Sequence, residues 1–112
     1  MELAKKSEFE FNKNCSIRKA IEIIGMKYAI LIFNELLKHE TLRFGQMRKV
    51  LGNVNTRTLT MTLKELERFE LVTRKQYSEI PPRVEYSLTK KGKDLKKVLL
   101  QLQTWYDKSY KT

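Results

Sequence analysis

At 112 residues and 41% hydrophobic composition the chain is expected to fold as one domain, burying about two-thirds of its unfolded surface around a single core. Its 23 Lys and Arg against 13 Asp and Glu leave a formal charge of +10, which makes a polyanion the natural partner, nucleic acid before a membrane surface. One cysteine, Cys15, excludes an intrachain disulfide and the usual thiolate zinc cluster, and no apolar run reaches the length of about 18 residues that a bilayer span needs.

The N-terminus MELAKKSEFEFNKN lacks the apolar core of a signal peptide, which predicts a cytoplasmic protein, nucleoid-associated when bound to DNA. Residues 1–14 mix charges and aromatics without a period and read as a tail, leaving 15–112 as the folded domain. From Cys15 onward, Ile17, Ala20, Ile21 and Ile24 recur at helical spacing, and Gly25 is placed to end that helix. Met26 to His39 predicts a second helix. Ala29, Ile30, Ile32, Phe33, Leu36 and Leu37 make it apolar round more than half its circumference, so it is expected to be central and packed on several sides. His39 at its end suits a donor to the last carbonyls better than a metal ligand, because no second ligand is near in sequence. No metal site and no cofactor are expected.

Thr41 to Phe44 is a short strand candidate, and Gly45 opens a third helix, GQMRKVLG, with Met47, Val50 and Leu51 on its buried side. After a turn over 52–54, Asn55 is a good N-cap for a fourth helix, in which Leu59, Leu63 and Leu66 recur at i, i+4, i+7. The opposite face of its first turns carries Thr56, Arg57, Thr58, Thr60, Met61 and Lys64, and acids begin only at Glu65. Hydroxyls, cations and a small apolar group suit the edges and phosphates of a DNA major groove, although a solvated Thr-rich helix face reads similarly. Helix, short turn, helix is the helix-turn-helix arrangement, with its second helix in the groove.

Beyond Leu71 the period changes to two: Val84, Tyr86 and Leu88 alternate with Arg83, Glu85 and Ser87, and Val72 to Tyr77 is the partner strand. Between them SEIPPR is stiffened by two prolines that cannot continue a ladder. A hairpin with Arg74, Lys75 and Arg83 along it reads as a basic wing over 77–83, with Arg83 aimed at the narrow, negative floor of a minor groove. Arg43 and Arg48 join Arg74 and Lys75 as expected contacts to the DNA backbone. From Arg43 to Lys93 there are twelve Lys and Arg against five acids, so most of the net charge falls in this half.

Thr89 caps a last helix from Lys90 to about Tyr110. Leu95, Val98, Leu99, Leu102, Trp105 and Tyr106 follow helical spacing on a stripe too long for so small a domain to cover, which predicts a homodimer built by this helix with Ile17 and Ile21 of the first. The fold class is therefore α+β, mainly α: a winged helix-turn-helix with a two-stranded β wing and N- and C-terminal dimerisation helices.

These pieces, in this order, resemble the HxlR-type family of winged helix-turn-helix transcription regulators, akin to the MarR type. The resemblance is carried by Cys15 heading the first helix, GMKYAILIFNEL (25–36), LRFGQMRKVLGNVNTRTLTMTLKELERFELV (42–72) and YSEIPPRVEYSLTKKGKDL (77–95). Tyr28 stands where the family usually has Trp, Thr56 where Pro often opens the recognition helix, and Ser16 where Pro often follows the Cys. The resemblance implies a dimer on a near-palindromic operator of double-stranded DNA, with Asn55 to Thr58, Thr60 and Met61 facing bases and Arg83 on the wing. It also implies that Cys15 is a candidate sensor of oxidants or electrophiles. A helix N-terminus with Arg18 and Lys19 one turn on raises the reactivity of a thiol, while a lone cysteine also commonly serves to fill space.

The leading expectation is thus a dimeric, sequence-specific transcriptional regulator, a repressor in sense, whose effector the sequence does not name. An architectural DNA-binding dimer with little sequence reading, and a protein-interaction module built on the last helix, are the alternatives. An enzyme is not expected, since no Ser/His/Asp set, metal cluster or phosphate-cradling glycine loop occurs.

Overall fold

The computed structural model describes residue 12 and residues 15–111, so the tail expected over 1–14 lies, Asn12 apart, outside the described residues. The elements are α1 (Ser16–Ile24), α2 (Ala29–Lys38), β1 (Leu42–Arg43), α3 (Phe44–Val50), α4 (Thr56–Arg68), β2 (Val72–Tyr77), β3 (Arg83–Leu88) and α5 (Lys90–Tyr110). The fold is mainly helical, as expected. The strand candidate at Thr41 to Phe44 is found as β1, which joins the two-stranded wing by pairing antiparallel with β3, giving the order β1-β3-β2, with Leu42 opposite Tyr86 and Arg43 opposite Glu85.

The second helix begins three residues later than its apolar pattern suggests. Tyr28 adopts a left-handed backbone, φ 72°, which an α-helix cannot propagate through, so Met26 to Tyr28 form a turn. Lys27 is fixed in that turn by its carbonyl, which accepts from the Thr62 hydroxyl of α4 at 2.9 Å. Nor is α2 packed on every side. Ala29, Ile32, Phe33 and Leu36 are buried, whereas Ile30, Leu31 and Leu37 remain 42%, 49% and 38% exposed on the outer face. In α3 Met47 is fully buried and Leu51 half-buried, but Val50, expected inside, is exposed because this seven-residue helix ends there, past the edge of the core.

The connection from α3 to α4 requires two consecutive left-handed residues, Gly52 at φ 89° and Asn53 at φ 58°, the types that accept that conformation most readily. Asn55 then caps α4, its side chain accepting from the Thr58 amide at 2.9 Å. Leu59, Leu63 and Leu66 are buried as the spacing required, and Thr62 is buried with them. At the far end the Glu70 amide donates to the Glu67 carbonyl and the Leu71 amide to that of Leu66, with Glu70 left-handed, a Schellman closure that turns the chain straight into β2.

One core joins these pieces: Ala29, Ile32, Phe33 and Leu36 of α2, Leu42, Met47, the α4 leucines, Leu71, Val72, Tyr86 and Leu88. Thr89 locks α5 onto the end of α4. Its hydroxyl donates to the Glu70 carbonyl at 2.7 Å and accepts from the Gly92 amide at 3.0 Å, while its own amide donates to the Leu71 carbonyl. A side chain at position 92 would collide with the Leu71 carbonyl, so glycine is what lets α5 start this close. Among the described residues no helix is long and apolar enough to cross a membrane.

Candidate nucleic-acid interface

The leucine stripe of α4 is sunk in the core, so its other face is held outward. Asn55, Thr56, Arg57, Met61 and Lys64 are exposed there, Met61 at 59%, with Thr58 and Thr60 half-buried beside them. The Thr60 hydroxyl donates to the Thr56 carbonyl at 2.8 Å, which leaves its lone pairs outward as acceptors. Arg57 and Lys64 form no ion pair among the described residues. The acids further along are different. Arg68 donates twice to Glu65, at 2.9 and 3.2 Å, and these bonds hold the Glu65 carboxyl below the usual carboxylate range. The start of α4 thus presents donors, acceptors and uncompensated cations, whereas at its end the Arg68 cation is taken up by Glu65.

The backbone cations divide. Arg43 is exposed and its amide donates to the Gln46 side chain, starting α3; Arg74 is exposed on β2, and with Lys64 it lines a cavity of about 320 Å³ between α4 and the sheet. Arg48, expected at the DNA backbone, is instead half-buried: its Nε donates to the Val54 carbonyl at 2.9 Å and ties down the turn before α4. Its role in the geometry is to set where α4 begins.

The wing differs most from expectation. Lys75 is exposed, its ammonium 5.0 Å from the Tyr77 ring centroid. Arg83, anticipated as a free cation, is already occupied. Its guanidinium lies 4.0 Å from the Tyr77 centroid, Nη1 is 3.0 Å from a Glu79 carboxylate oxygen, and Nε is buried 3.3 Å from one of Glu85, off the line of a good hydrogen bond. Neither acid was singled out from the sequence. Alternation marks strand faces, but it carries no sign of which charges meet across a hairpin tip.

The last helix, α5, buries only Gly92 fully. Leu95 packs against the core and Leu99 is half-buried, while Val98, Leu102, Trp105 and Tyr106 are 51–56% exposed, and Leu100 and Tyr110 nearby are exposed too. The outer faces of α2 and α5 enclose an open apolar groove of about 680 Å³, lined among others by Ile30, Leu31, Leu99, Leu102 and Tyr106. Ile17 and Ile21 of α1 are exposed as well, at 42% and 48%. Cys15 is the N-cap residue of α1, half-buried and free, with no side-chain cap bond. His39 faces Glu35 at 3.8 Å, and no group of three His, Cys, Asp or Glu suited to a metal occurs among the described residues.

Residues 23–112 match the HxlR-like helix-turn-helix family. The chain belongs to that family. Among its relatives is an uncharacterized helix-turn-helix-type transcriptional regulator of Synechocystis, sll1512, 39% identical over 94 residues that cover 84% of this chain and 69% of the relative. Among solved structures, the reduced form of the transcriptional regulator YodB from Bacillus subtilis is 31% identical with a TM-score of 0.76, covering 84% of this chain and 91% of that one. The redox regulator HypR in its oxidized form is 33% identical with a TM-score of 0.72, covering 84% and 96%. This HxlR-like chain is accordingly a transcriptional regulator built on a DNA-binding helix-turn-helix, and not an enzyme. Within it α3 and α4 are the helix-turn-helix pair, and β2 and β3 the wing.

Proposed function

We propose that this regulator binds a near-palindromic operator in double-stranded DNA as a homodimer, in the sense of a repressor, each protomer laying the first two turns of α4 in a major groove. The observation that carries the reading is the contrast on α4 itself: leucines sunk in the core, and Asn55, Thr56, Arg57, Met61 and Lys64 exposed with no acid among them. Arg57 is the residue best suited to the two acceptors of a guanine edge; Lys64, Arg74, Lys75 and Arg43 suit phosphates. Such contacts imply a steep fall in affinity with salt through counterion release. A second protomer seated on the exposed face of α5, with Ile17 and Ile21 of α1 at its margin, would remove most of the apolar surface the chain leaves open and would set the two reading helices about one helical turn apart.

Arg57→Ala is expected to flatten the preference between operator and random DNA by about tenfold, since one bidentate base contact is worth about 1–3 kcal/mol of discrimination. A variant with unchanged preference would remove α4 from the role of reader.

Cys15 is proposed as the responsive thiol. It heads a helix bearing the exposed Ile17 and Ile21, and the solved structures that this chain resembles include the reduced form of YodB and the oxidized form of the redox regulator HypR. Wild type is expected to lose operator affinity on peroxide or electrophile treatment and Cys15→Ser to retain it. Equal loss in both would rule the thiol out.

A further inference from the structure

The wing carries a second feature beside its occupied arginine. Ile80, at the tip between β2 and β3, is fully exposed, and Ser78 to Pro82 around it are exposed too. We propose, taking the DNA-binding reading as given, that the wing meets the minor groove through this apolar tip, and that Arg83 is the positioning residue that holds Ile80 there rather than a contact to DNA itself.

The guanidinium of Arg83 is enclosed on three sides, by the Tyr77 ring, Glu79 and Glu85, and its side chain is only 24% exposed. With Glu79, Glu85 and Lys75, which faces Glu85 across the ladder and lies over the same Tyr77 ring, it forms a cluster of no net charge, so the guanidinium is not an uncompensated cation for a narrow, negative groove. To reach DNA it would have to abandon both acids, leaving them unpaired by Arg83 beside a polyanion. What the cluster does accomplish is closure of the tip. Tyr77 and Arg83 face each other on the last rung of the ladder. From that rung Arg83 reaches Glu79 inside the loop and Glu85 on its own strand, and the Glu79 amide donates to the Tyr77 carbonyl at 2.9 Å. The loop is thereby bound to the end of the sheet on both sides of Ile80.

Position fits the contact. The base of β2 packs against α4, and the ladder from Val72 opposite Leu88 to Tyr77 opposite Arg83 extends about 17 Å at the usual rise per strand residue. That is about half a helical turn of the duplex, the step from a major groove to the next minor groove. Isoleucine and proline are residues that proteins place against sugar faces or between base steps there, and such a contact releases no counterion.

Salt dependence separates the alternatives. On an operator duplex long enough to run beneath the wing, Ile80→Ser and Arg83→Ala are each expected to weaken binding about tenfold, the scale of one buried isoleucine, with the slope of log affinity against log salt unchanged. The double variant should be no weaker than either single one, because both remove the same contact. Glu79→Ala should also weaken binding, although removal of a negative charge near DNA would by itself strengthen it. On a duplex trimmed short of the wing, all four variants should match wild type, which a general loss of folding would not allow. If Arg83→Ala lowers the salt slope by about one unit while Ile80→Ser has no effect, Arg83 is a direct contact and the proposal is wrong. It is equally wrong if Glu79→Ala tightens binding. Failure of wild type to bind any duplex would instead overturn the DNA-binding reading, and amide exchange at 78–82 in the free protein, faster in Arg83→Ala if the clamp exists, would still test the clamp.

Discussion

The two longest amphipathic helices treat their apolar residues in opposite ways. In α4 the stripe Leu59, Leu63, Leu66 is fully inside the chain, and what faces out over the first two turns is polar or cationic apart from Met61. In α5, 21 residues long, only Gly92 is fully inside, and Val98, Leu102, Trp105 and Tyr106 face out. A helix whose apolar stripe is covered at home is free to use its other face on a ligand. A helix whose apolar stripe is left open has its own packing still to complete, and the proposed second protomer completes it. Under the proposed function the same amphipathic pattern serves recognition in one place and assembly in the other.

The largest expected effect comes from removing assembly. Leu102→Glu combined with Trp105→Glu should halve the mass in solution and lower operator affinity by about a thousandfold, the scale on which two linked half-site contacts exceed one. If the double variant keeps both mass and affinity, the contrast between the helices is lost. Leu63→Ala, on the covered stripe of α4, should cost about 3 kcal/mol of unfolding free energy in urea without altering the subunit count of the protein that remains folded. Thr62→Val should cost about 1–2 kcal/mol, since it keeps the shape but leaves the Lys27 carbonyl without its donor. Asn55→Ala, which removes the cap of the reading helix, should cost about 1 kcal/mol in the same measurement.

The smallest effect belongs to the exposed end of α4. Glu65 has its carboxyl held below the ordinary range by Arg68, so whatever stability the pair supplies is present above the unfolded-state pKa of about 4.5 and disappears as pH falls through the lower folded value. The pair is solvent-exposed, and the difference between wild type and Glu65→Gln should be slight at pH 7 and should shrink in acid unfolding curves as pH falls below the unfolded-state pKa.

Much of this architecture is written locally. The α4 stripe, the Asn55 and Thr89 caps and the alternation of Val84, Tyr86 and Leu88 depend on spacing and on side chains within a turn of one another, and each is found where the spacing put it. What the sequence left hidden depends on how the chain closes on itself. Tyr28 gives no local sign of a left-handed backbone, and its turn is tied through Lys27 to Thr62, 35 residues away. Arg48 carries the charge expected of a phosphate contact, but the turn carbonyl of Val54 takes its Nε. Arg83 looked like a free wing cation because its acids, Glu79 and Glu85, meet it only when the hairpin closes. Charge can be counted from a sequence, but whether a charge is available cannot.

The account rests on two α4 helices presented in twofold symmetry, and selection of bound duplexes from a random pool tests it most directly. The selected sequences should converge on an inverted repeat whose half-sites lie about 10 base pairs apart, centre to centre. Selected sequences with a single unpaired half-site, or with no shared sequence at moderate salt, would contradict it.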